Sequence, residues 1–357
     1  MKIAFFNATT NWGGVKSWTI DVAAQLQLQG HETILVGKDT RFAIRAKQKN
    51  IRAITTKFGS DFSPISIVKF LSFLKKERPD VVIVNVSKEL RTVGFAAKLL
   101  QIPLVQRIGL PKDMKCCKKV QLLDTVLTPH YLFPCYYNRD GMLAHLPFVK
   151  KNKTTVVHTG KPCREVSISS PSKPFQFIST SQLNERKGHS ELMDAMHILS
   201  TKSVQFHWHI VGTGTEEAVL KKRAIELNLS ESITWHGWTQ DVFSLLEKAD
   251  SFLLPSYFEG LPNTLLEAMS CGLIPVARNV GGIHEAWPNE LNQLLIDQDA
   301  DATIWAEKLY HLMTTPDDIV IKNKSLVKQH IDTHFNINQQ AKKLVDELEK
   351  VVQSTGN

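Results

Sequence analysis

Uninterrupted apolar stretches, rather than alternating ones, recur along the first half of the chain. KIAFF at 2–6 is followed by a glycine-containing loop, the amphipathic stretch WTIDVAAQLQLQG and a second apolar run, HETILVG. Strands covered on both faces of a parallel sheet are apolar at nearly every position, and parallel strands need a crossover such as a helix between them. The order of strand, loop, helix and strand therefore predicts a parallel, doubly wound α/β sheet.

The same pattern continues through the first half of the chain. Further strands are predicted at Asp80–Val86, Pro103–Ile108 and Asp124–Pro129, with helices in SIVKFLSFLKKER and GFAAKLLQ. The pattern breaks at Ser167–Pro174, SISSPSKP, whose serine and proline content is typical of a linker. We therefore expect a first domain over residues 1–168.

The alternation of strands and helices restarts after that break. The strand candidates are FQFIST, FHWHIVG, ITWHG, SFLLPS and IPVAR, with helix candidates such as GHSELMDAMHILS between them. This pattern predicts a second doubly wound domain over 169–335, followed by a C-terminal helix at 336–357 whose candidate packing partner is the first domain. Ligands of such sheets bind beyond the carboxyl ends of the strands, so the loops there are where the chemistry is expected.

The composition is that of a globular protein with enough apolar residues for two cores. The 357 residues are 43% hydrophobic and 22% charged, and no stretch reaches the roughly 18 apolar residues of a membrane span. Five scattered cysteines form no C-x-x-C pair, which favours reduced thiols over disulfides or a metal site. A cytoplasmic protein is the expectation.

Charge is distributed unequally between the two halves. Residues 1–168 hold 27 lysines and arginines against 11 acidic residues, whereas 169–357 hold 16 against 24. The halves therefore carry net charges of +16 and −8, although the whole chain carries only +8. A basic half indicates an anionic partner, such as a phospholipid surface, a phosphorylated glycolipid or a nucleic acid.

Glycines follow two of the predicted strands, where a strand turns into a helix. Gly13 and Gly14 precede the first helix, and Gly212 and Gly214 follow the strand FHWHIV. Backbone N–H groups at such turns favour an anion such as a phosphate, but a tight turn that requires glycine explains them equally well. Neither turn completes G-x-G-x-x-G, which argues against a dinucleotide-dependent oxidoreductase.

The segment SYFEGLPNTLLEAMSCG has a loop running into a helix, with a carboxylate in each. Asn263 is the expected N-cap and Thr264 the first helical residue. A nucleotide diphosphate would bind the free N–H groups there, with Glu267 in the first turn accepting from sugar hydroxyls and Glu259 near a second sugar. An acid that complements the helix dipole explains Glu267 alone, but not Glu259 and Gly260 as well. The expected buried stripe is Leu265, Leu266, Ala268 and Met269.

Taken with its neighbours, this segment resembles a known family. EGLPNTLLEAMSCG at 259–272 is similar to the E-x7-E signature of the retaining GT-B glycosyltransferases, in particular the family 4 group, which includes bacterial surface-polysaccharide and lipopolysaccharide enzymes. Further blocks in the same order are TSQLNERKGHSELMDAM and GLIPVARNVGGIHEAW, the latter with Gly281, Gly282 and Glu285. The resemblance implies two doubly wound, Rossmann-like domains facing each other across a cleft. It also implies transfer of a sugar from a nucleotide-diphosphate sugar to a glycan or glycolipid.

The resemblance assigns roles to individual residues. It implies that Glu259 contacts the transferred sugar, that Lys187 binds the diphosphate as the leaving group departs, and that Glu267 holds the nucleotide ribose. The nucleobase would lie against the backbone at 236–239. The implied donor-binding residues are Gly13, Gly14, Arg186, Gly260, Leu261, Pro262, Asn263, Thr264, Glu267 and Trp238.

The chain departs from the family pattern at two cationic positions. Gln182 stands where an arginine usually precedes the lysine, and Arg186 adjoins Lys187 instead. In the first domain Arg107 lies in VQRIGLP, a region where the family often has a histidine that touches the donor sugar. These departures make the identity of the sugar an open point. The further candidate residues are Arg107, Gln182, Gly212 and Gly214.

Neither a metal nor an organic cofactor is expected. The resemblance implies that the departing diphosphate accepts the acceptor's proton on the same face of the sugar. Asp299 and Asp301 fit the N-cap region of a helix better than a metal–nucleotide site. His207 and His209 share a strand face, where a metal clip is conceivable, but two polar positions on a strand are the favoured interpretation.

Lysines of the basic half indicate where an anionic acceptor or membrane would lie. Each lysine near an anionic bilayer contributes about 1 kcal/mol of binding free energy, so a cluster can hold a peripheral protein at the inner membrane surface. Solvation of an ordinary surface is the alternative. The lysines concerned are Lys112, Lys115, Lys118, Lys119, Lys150, Lys151 and Lys153.

Two other functions deserve comparison. A non-hydrolysing sugar-nucleotide epimerase shares the two-domain architecture, but would need acid–base carboxylates and histidines rather than E-x7-E. Nucleic-acid binding is suggested by the basic half alone, and no RNA- or DNA-binding module with interleaved aromatic residues is found. A glycosyltransferase with a nucleotide-sugar donor and an anionic glycolipid or glycan acceptor is the favoured prediction.

Overall fold

The computed structural model describes residues 1–10 and 12–355, and this part of the chain forms two compact units. The first unit comprises Met1–Gly160 together with the segment from Ile337 onward. The second unit comprises Lys161–Asn336. Each unit contains its own parallel sheet with helices on both faces.

The chain passes into the second unit at Gly160, before the serine- and proline-rich stretch at 167–174. That stretch belongs to the second unit rather than to a free linker. The Ser172 backbone N–H donates to Asp250 at 3.0 Å, and the Ser169 carbonyl accepts from Lys324 at 3.5 Å. A low apolar content is compatible with a linker, but here these hydrogen bonds fix the stretch to the second unit.

Within the described residues, the first unit is built around seven parallel strands. They are β1 (Lys2–Asn7), β2 (Glu32–Gly37), β3 (Arg52–Thr55), β4 (Val81–Val84), β5 (Leu104–Arg107), β6 (His130–Phe133) and β7 (Thr154–Val156). They pair in the order β3-β2-β1-β4-β5-β6-β7, which is the predicted doubly wound topology. The helices between them are α1 (Gly14–Leu28), α2 (Thr40–Gln48), α3 (Pro64–Glu77), α4 (Ser87–Glu89), α5 (Phe95–Leu99), α6 (Lys118–Leu127) and α7 (Tyr136–His145).

Alternate residues of β1 enter two different cores. Phe5 packs edge-on against Trp18 of α1, with ring centroids 6.3 Å apart, on one face of the sheet. Phe6 packs against Phe70 of α3, at 5.7 Å, on the other face. Both faces are therefore covered, which is why the strand is apolar at consecutive positions.

One strand of the first unit was predicted wrongly. Residues 118–127 form helix α6, which ends at Thr128 in a left-handed conformation (φ 45°), and the strand follows at His130–Phe133. Val120, Leu123 and Leu127 lie on one helical face and are buried. The helical period of these buried residues favours a helix, whereas the short apolar run at 124–129, read alone, predicts a strand.

The second unit, whose residues are all described, is built around six parallel strands. They are β8 (Phe175–Thr180), β9 (Phe206–Val211), β10 (Ile233–Gly237), β11 (Ser251–Leu254), β12 (Ile274–Arg278) and β13 (Leu295–Ile296). The order is β10-β9-β8-β11-β12-β13, and the first five confirm the predicted strands. The helices are α8 (His189–Ser200), α9 (Glu217–Glu226), α10 (Phe243–Leu246), α11 (Asn263–Ser270), α12 (Ala302–Thr314) and α13 (Asp317–His334).

The last described helix, α14 (Ile337–Thr355), belongs to the first unit. Its Leu344 joins the buried cluster that contains Leu26 of α1. The Gln29 side chain donates to the Asn338 carbonyl at 2.9 Å. Helix α14 therefore packs on α1 within the first unit.

The two points where the chain passes between the units are adjacent in the second unit. The Lys161 N–H donates to the Phe335 carbonyl at 2.7 Å. Lys161 also forms an isolated parallel bridge with Asn336. The second unit therefore begins and ends at paired backbone positions.

None of the helices in the described residues combines the length and the apolar character that a membrane crossing requires.

Candidate active site

Two loops of the second unit bring Lys187 and Glu259 into an ion pair. Lys187 ends the 3₁₀ turn Glu185–Lys187 after β8, and Glu259 lies in the loop after β11. Since β8 and β11 are parallel neighbours, both loops leave the same edge of the sheet. Nζ of Lys187 lies 2.5 Å from Oε1 of Glu259, and the side chains are only 14% and 10% exposed. The Tyr257 N–H also donates to the Arg186 carbonyl at 2.9 Å, which joins the loops through their backbones.

Gly281 and Gly282, which end the stretch GLIPVARNVGG, pack against the backbone of the Glu259 loop. The Gly282 N–H donates to the Gly260 carbonyl at 2.8 Å. Gly281 has φ +63°, and a Cβ placed there would lie 2.0 Å from the Glu259 carbonyl oxygen. Any other residue at 281 would force this loop to move, so the glycine fixes the backbone that carries the carboxylate.

Helix α11 begins one residue earlier than the sequence predicts. Pro262 is extended (φ −72°, ψ 122°) and its carbonyl accepts from the Leu266 N–H at 3.4 Å, which makes Pro262 the N-cap. The prediction that Asn263 is the N-cap was therefore wrong, because Asn263 is already helical. Glu267 consequently lies in the second turn, and the first turn contains no acidic residue. The assignment of Glu267 to the first turn was wrong for the same reason.

The apolar face of α11 is confirmed. Leu261, just before the helix, is also buried, whereas Asn263 and Thr264 are partly exposed. The first N–H groups of an α-helix have no partner within the helix, so this end can accept an anion. The buried residues of the stripe are Leu265, Leu266, Ala268 and Met269.

Glu267 pairs with a lysine that the sequence did not indicate. Nζ of Lys161 lies 2.7 Å from Oε1 of Glu267, and the two side chains are 2% and 16% exposed. The residues are 106 positions apart in the chain. Both glutamates of the E-x7-E segment therefore have a lysine partner within the second unit.

A buried arginine connects the Glu259 loop to α8. Arg278, at the end of β12, is 1% exposed, and its guanidinium lies 2.5 Å from the carboxylate of Glu191. The Tyr257 hydroxyl donates to the same carboxylate at 2.8 Å. Burial and the Glu191 carboxylate raise the pKa of Tyr257. The sequence does not identify the partners in this network, although an arginine that ends the apolar run IPVAR signals a buried cation that needs one.

The remaining second-unit candidates lie at the same strand ends. Gln182 and Arg186 are exposed, and Arg186 adjoins Lys187 in the chain. Trp238 follows β10, and its side chain is 53% exposed. The resemblance places the nucleobase near this position.

The glycines after β9 are required by backbone contacts. Gly212 has φ +133°, and a Cβ there would lie 1.8 Å from the Ser181 carbonyl oxygen. A Cβ on Gly214 would lie 1.9 Å from the Leu183 carbonyl oxygen. Close packing of this turn against the loop after β8 accounts for both glycines.

In the first unit, Gly13 and Gly14 lie at the start of α1. Gly13 is the extended N-cap and Gly14 the first helical residue. A cavity of about 450 Å³ is lined by described residues of the loop between β1 and α1 and by Lys16. Lys16 is 1% exposed and its Nζ lies 2.7 Å from Oδ2 of Asp39, an ion pair that the sequence did not indicate.

A buried carboxylate binds the backbone at the start of the loop between β1 and α1. Glu89 is fully buried, and its Oε1 accepts from the Ala8 N–H at 2.5 Å. Burial raises the pKa of Glu89 to about 7. Its other oxygen accepts from the N–H groups of Asn85 and Val86. The ends of β1 and β4 are thereby tied together.

Arg107 is a buried cation of the first unit. It is 6% exposed, and its guanidinium lies 4.2 Å from the ring centre of Trp18. Burial lowers the pKa of Arg107 to about 10, which leaves it protonated at neutral pH. Stacking on Trp18 therefore holds a positive charge at the end of β5.

The strand histidines bond to one another and to neighbouring strands. His209 lies 2.9 Å from His236 and 2.8 Å from Gln176, measured between side-chain nitrogens or oxygens. His207 lies 2.7 Å from the Thr234 hydroxyl. Burial lowers the pKa of His209 to about 4. In the part of the chain that the structure describes, no group of three or more histidine, cysteine or acidic residues has the arrangement of a metal site.

Solved structures share the fold of both units. The structure of HepE from Anabaena in complex with UDP covers 98% of this chain and 100% of that chain, with a TM-score of 0.80 at 17% identity. A likeness at this identity concerns the fold alone, and it places the chain in the GT-B class that the sequence resemblance implies. Residues 165–332 further match the family described as glycosyl transferases group 1. The second unit therefore contains a glycosyltransferase group 1 domain, and Lys187, Glu259 and Glu267 lie within it.

Several curated relatives are glycosyltransferases by name. The putative colanic acid biosynthesis glycosyltransferase WcaL of Escherichia coli K12 is 27% identical over 192 residues, which are 51% of this chain and 47% of that protein. The UDP-Gal:alpha-D-GlcNAc-diphosphoundecaprenol alpha-1,3-galactosyltransferase of Escherichia coli is 26% identical over 308 residues, which are 79% of this chain and 78% of that protein. The chain thus spans about half the length of the first relatives that it matches.

Proposed function

We propose that this protein is a retaining glycosyltransferase that moves a sugar from a nucleotide-diphosphate sugar to a glycan or glycolipid acceptor in surface polysaccharide or lipopolysaccharide biosynthesis. The observation that carries the proposal is the pair of Lys187 and Glu259, 2.5 Å apart, in a glycosyltransferase group 1 domain. The pair lies where parallel strands end, and the loop that carries Glu259 leads into the N-terminus of α11. Such an edge is where ligands of doubly wound sheets bind.

The proposed donor site uses charge and backbone donors together. Lys187 would bind the diphosphate, assisted by the backbone N–H groups and the positive dipole end at the start of α11. Arg186, exposed beside Lys187, is the candidate second cation, since Gln182 replaces the arginine of the family pattern. Glu267 would accept from the ribose hydroxyls, and Trp238 would contact the base.

The proposed reaction needs no metal or organic cofactor. An acceptor oxygen forms a bond to the anomeric carbon while the bond from that carbon to the diphosphate oxygen breaks. The departing oxygen takes the acceptor's proton, so attack and departure occur on one face and the configuration is retained. Positive charge fixed near the leaving oxygen stabilises the transition state. Glu259 would orient the sugar through its hydroxyls while its charge stays balanced by Lys187.

A UDP-sugar is the proposed donor, and an anionic, lipid-linked acceptor is the proposed second substrate. The galactosyltransferase relative is named for UDP-Gal and for an acceptor joined to undecaprenol through a diphosphate. A diphosphate-linked acceptor carries negative charge. The net charge of +16 on residues 1–168 is complementary to such a substrate.

The proposed location is the cytoplasmic face of the membrane, with peripheral contact through the first unit. Lys112, Lys115, Lys118 and Lys119 are all exposed. On α6, Leu122 is 63% and Val126 41% exposed. They follow Lys118 at intervals of four, so one helical face presents a cation and two apolar side chains. Such a face suits the interface of an anionic bilayer.

A ligand and turnover screen tests the proposal. Binding of UDP-, GDP- or ADP-sugars to the folded protein raises its melting temperature, and the sugar nucleotide that does so identifies the donor class. The same nucleotide, labelled in the sugar and incubated without acceptor, separates transfer from epimerisation. Slow hydrolysis is expected of a transferase, whereas appearance of an epimer would overturn the proposal. The comparisons give the epimerase no support.

A further inference from the structure

Lys161 is a buried cation that contacts the carboxylate assigned to the ribose. Its side chain is 2% exposed, and Nζ lies 2.7 Å from Oε1 of Glu267. Throughout the second unit, neither residue makes another ion pair. A lysine is rarely buried to this extent without a carboxylate partner, because its charge loses hydration.

The backbone of Lys161 is fixed independently of its side chain. Its N–H donates to the Phe335 carbonyl at 2.7 Å, and it forms a parallel bridge with Asn336. The ammonium group therefore extends from a backbone position that two chain segments hold. A side chain anchored in this way restricts the positions that its partner carboxylate can adopt.

Glu267 is bound at one oxygen and available at the other. Oε1 accepts from Lys161, whereas Oε2 accepts no hydrogen bond within the second unit, and the side chain is 16% exposed. The Ser270 hydroxyl donates to the Glu267 backbone carbonyl at 2.7 Å, so it does not compete for the carboxylate. A carboxylate already held in one orientation loses less conformational entropy when it accepts a ligand hydroxyl.

We propose that Lys161 is a positioning residue for ribose recognition. It holds Oε1 of Glu267 so that Oε2 faces the ribose hydroxyls, and it acts on the nucleotide only through that carboxylate. The inference rests on the proposed function, which assigns the ribose to Glu267. It adds a determinant of nucleotide binding outside the E-x7-E segment.

Calorimetric titration with UDP and with 2′-deoxy-UDP tests this role, because the two probes differ by one ribose hydroxyl. Wild type is expected to bind UDP at least about tenfold more tightly than 2′-deoxy-UDP, as for a hydrogen bond to a charged group. Lys161→Met and Glu267→Gln are both expected to reduce this ratio to below about threefold. A general loss of stability would weaken both ligands together and leave the ratio unchanged.

Lys324→Met is the matched control. Lys324 and Asp250 form another buried pair of the second unit, 2.7 Å apart, with side chains 7% and 3% exposed. Lys324→Met also removes a buried lysine from its carboxylate partner, so it controls for the loss of such a lysine elsewhere in the second unit. The ratio of the two affinities is expected to stay at the wild-type value.

The affinity ratios distinguish failure of the positioning role of Lys161 from failure of the proposed function, which places the ribose at Glu267. A wild-type ratio in Lys161→Met, with a collapsed ratio in Glu267→Gln, overturns the positioning role and leaves the proposed function intact. A wild-type ratio in Glu267→Gln, or absence of UDP binding to wild type, overturns the proposed ribose site and this inference with it. If Lys161→Met does not fold, Lys161→Arg replaces it. Its wider guanidinium is expected to shift the carboxylate and lower the ratio about threefold or more, and an unchanged ratio overturns the role.

Discussion

Lys187 and Glu259 are 72 positions apart in the chain, yet their charged groups meet at 2.5 Å. In the proposed function one binds the diphosphate and the other the transferred sugar. In a nucleotide sugar these two parts are joined by the single bond that breaks during transfer. Adjacent binding groups are therefore what such a donor requires, and the ion pair keeps both charges in place before the donor arrives.

Glu259→Ala tests the catalytic half of this pair. Transfer is expected to fall by at least about a hundredfold, which is comparable to losing one preorganised charge contact to the transition state. UDP affinity is expected to stay within about threefold of wild type, since Lys187 remains. Radiolabelled transfer assays and calorimetry measure the two effects. Glu185→Ala, at an exposed carboxylate of the same turn, is the control, and wild-type turnover in Glu259→Ala contradicts the assignment.

Lys187→Ala tests the binding half of the pair. UDP affinity is expected to fall about tenfold or more, because a charge-assisted hydrogen bond to the diphosphate is lost. Uridine, which has no phosphate, serves as the comparison ligand and is expected to bind both proteins equally. Arg186→Ala measures whether the exposed neighbour contributes. If only Arg186→Ala weakens UDP, the phosphate-binding cation has been misassigned.

Arg278→Met tests the network behind the Glu259 loop. It removes the cation from Glu191 and is expected to cost about 3–5 kcal/mol in the free energy of unfolding, as breaking one side of a buried pair does. Arg223→Met removes a pair with Asp194 whose side chains are 37% and 36% exposed, and about 1 kcal/mol or less is expected. Urea unfolding measures both. Equal costs for the two variants would show that burial does not decide the contribution.

His209 predicts a loss of stability in acid. Burial, with His207 and His236 nearby, lowers its pKa to about 4, whereas an unfolded histidine titrates near about 6.5. The folded state therefore favours the neutral ring, and stability should fall as pH decreases from about 6.5 to about 4. Urea midpoints measured across this range should fall less steeply in His209→Gln than in wild type. His311→Gln, at an exposed position, should follow the wild-type curve, and an identical slope in His209→Gln excludes this cause.

The exposed lysines at the start of α6, Lys118 and Lys119, predict binding to anionic vesicles. Lys118→Glu with Lys119→Glu should weaken cosedimentation with phosphatidylglycerol-containing vesicles about tenfold or more, because each lysine near such a surface contributes about 1 kcal/mol. Lys342→Glu with Lys343→Glu makes the same charge change at exposed positions of α14. If both double variants bind alike, net charge rather than the α6 lysines attracts the membrane.

Local periodicity was sufficient to predict the two sheets and most of their strands. Residues such as Phe5 and Phe6, buried on opposite faces of one strand, make a run apolar throughout, and that run is visible without the structure. The same signal failed at 124–129, where a short apolar stretch fitted both a strand and the last turn of a helix. It also misplaced the start of α11 by one residue, because Asn263 is already helical and the carbonyl of the extended Pro262 accepts the first hydrogen bond of the helix.

Most long-range ion pairs carried no signal in the sequence. Lys161 lies 106 residues from Glu267, and Arg278 lies 87 residues from Glu191. No spacing rule connects residues that approach only when separate strands enter one sheet. A lysine or arginine within or beside an apolar run indicates that a partner exists, as at Arg278, but only the topology identifies which carboxylate it is.

The second unit is an insertion between two segments of the first unit, and its two ends, Lys161 and Asn336, are paired through their backbones. A segment whose two ends already touch can be excised without stretching either end, so 161–336 is the natural choice for separate expression. The first unit is not continuous in sequence, since its helix α14 follows the inserted second unit. A deletion from residue 337 onward would therefore remove α14 from the core of the first unit. It would leave the group 1 domain whole, although that domain directly precedes the deleted segment in the sequence.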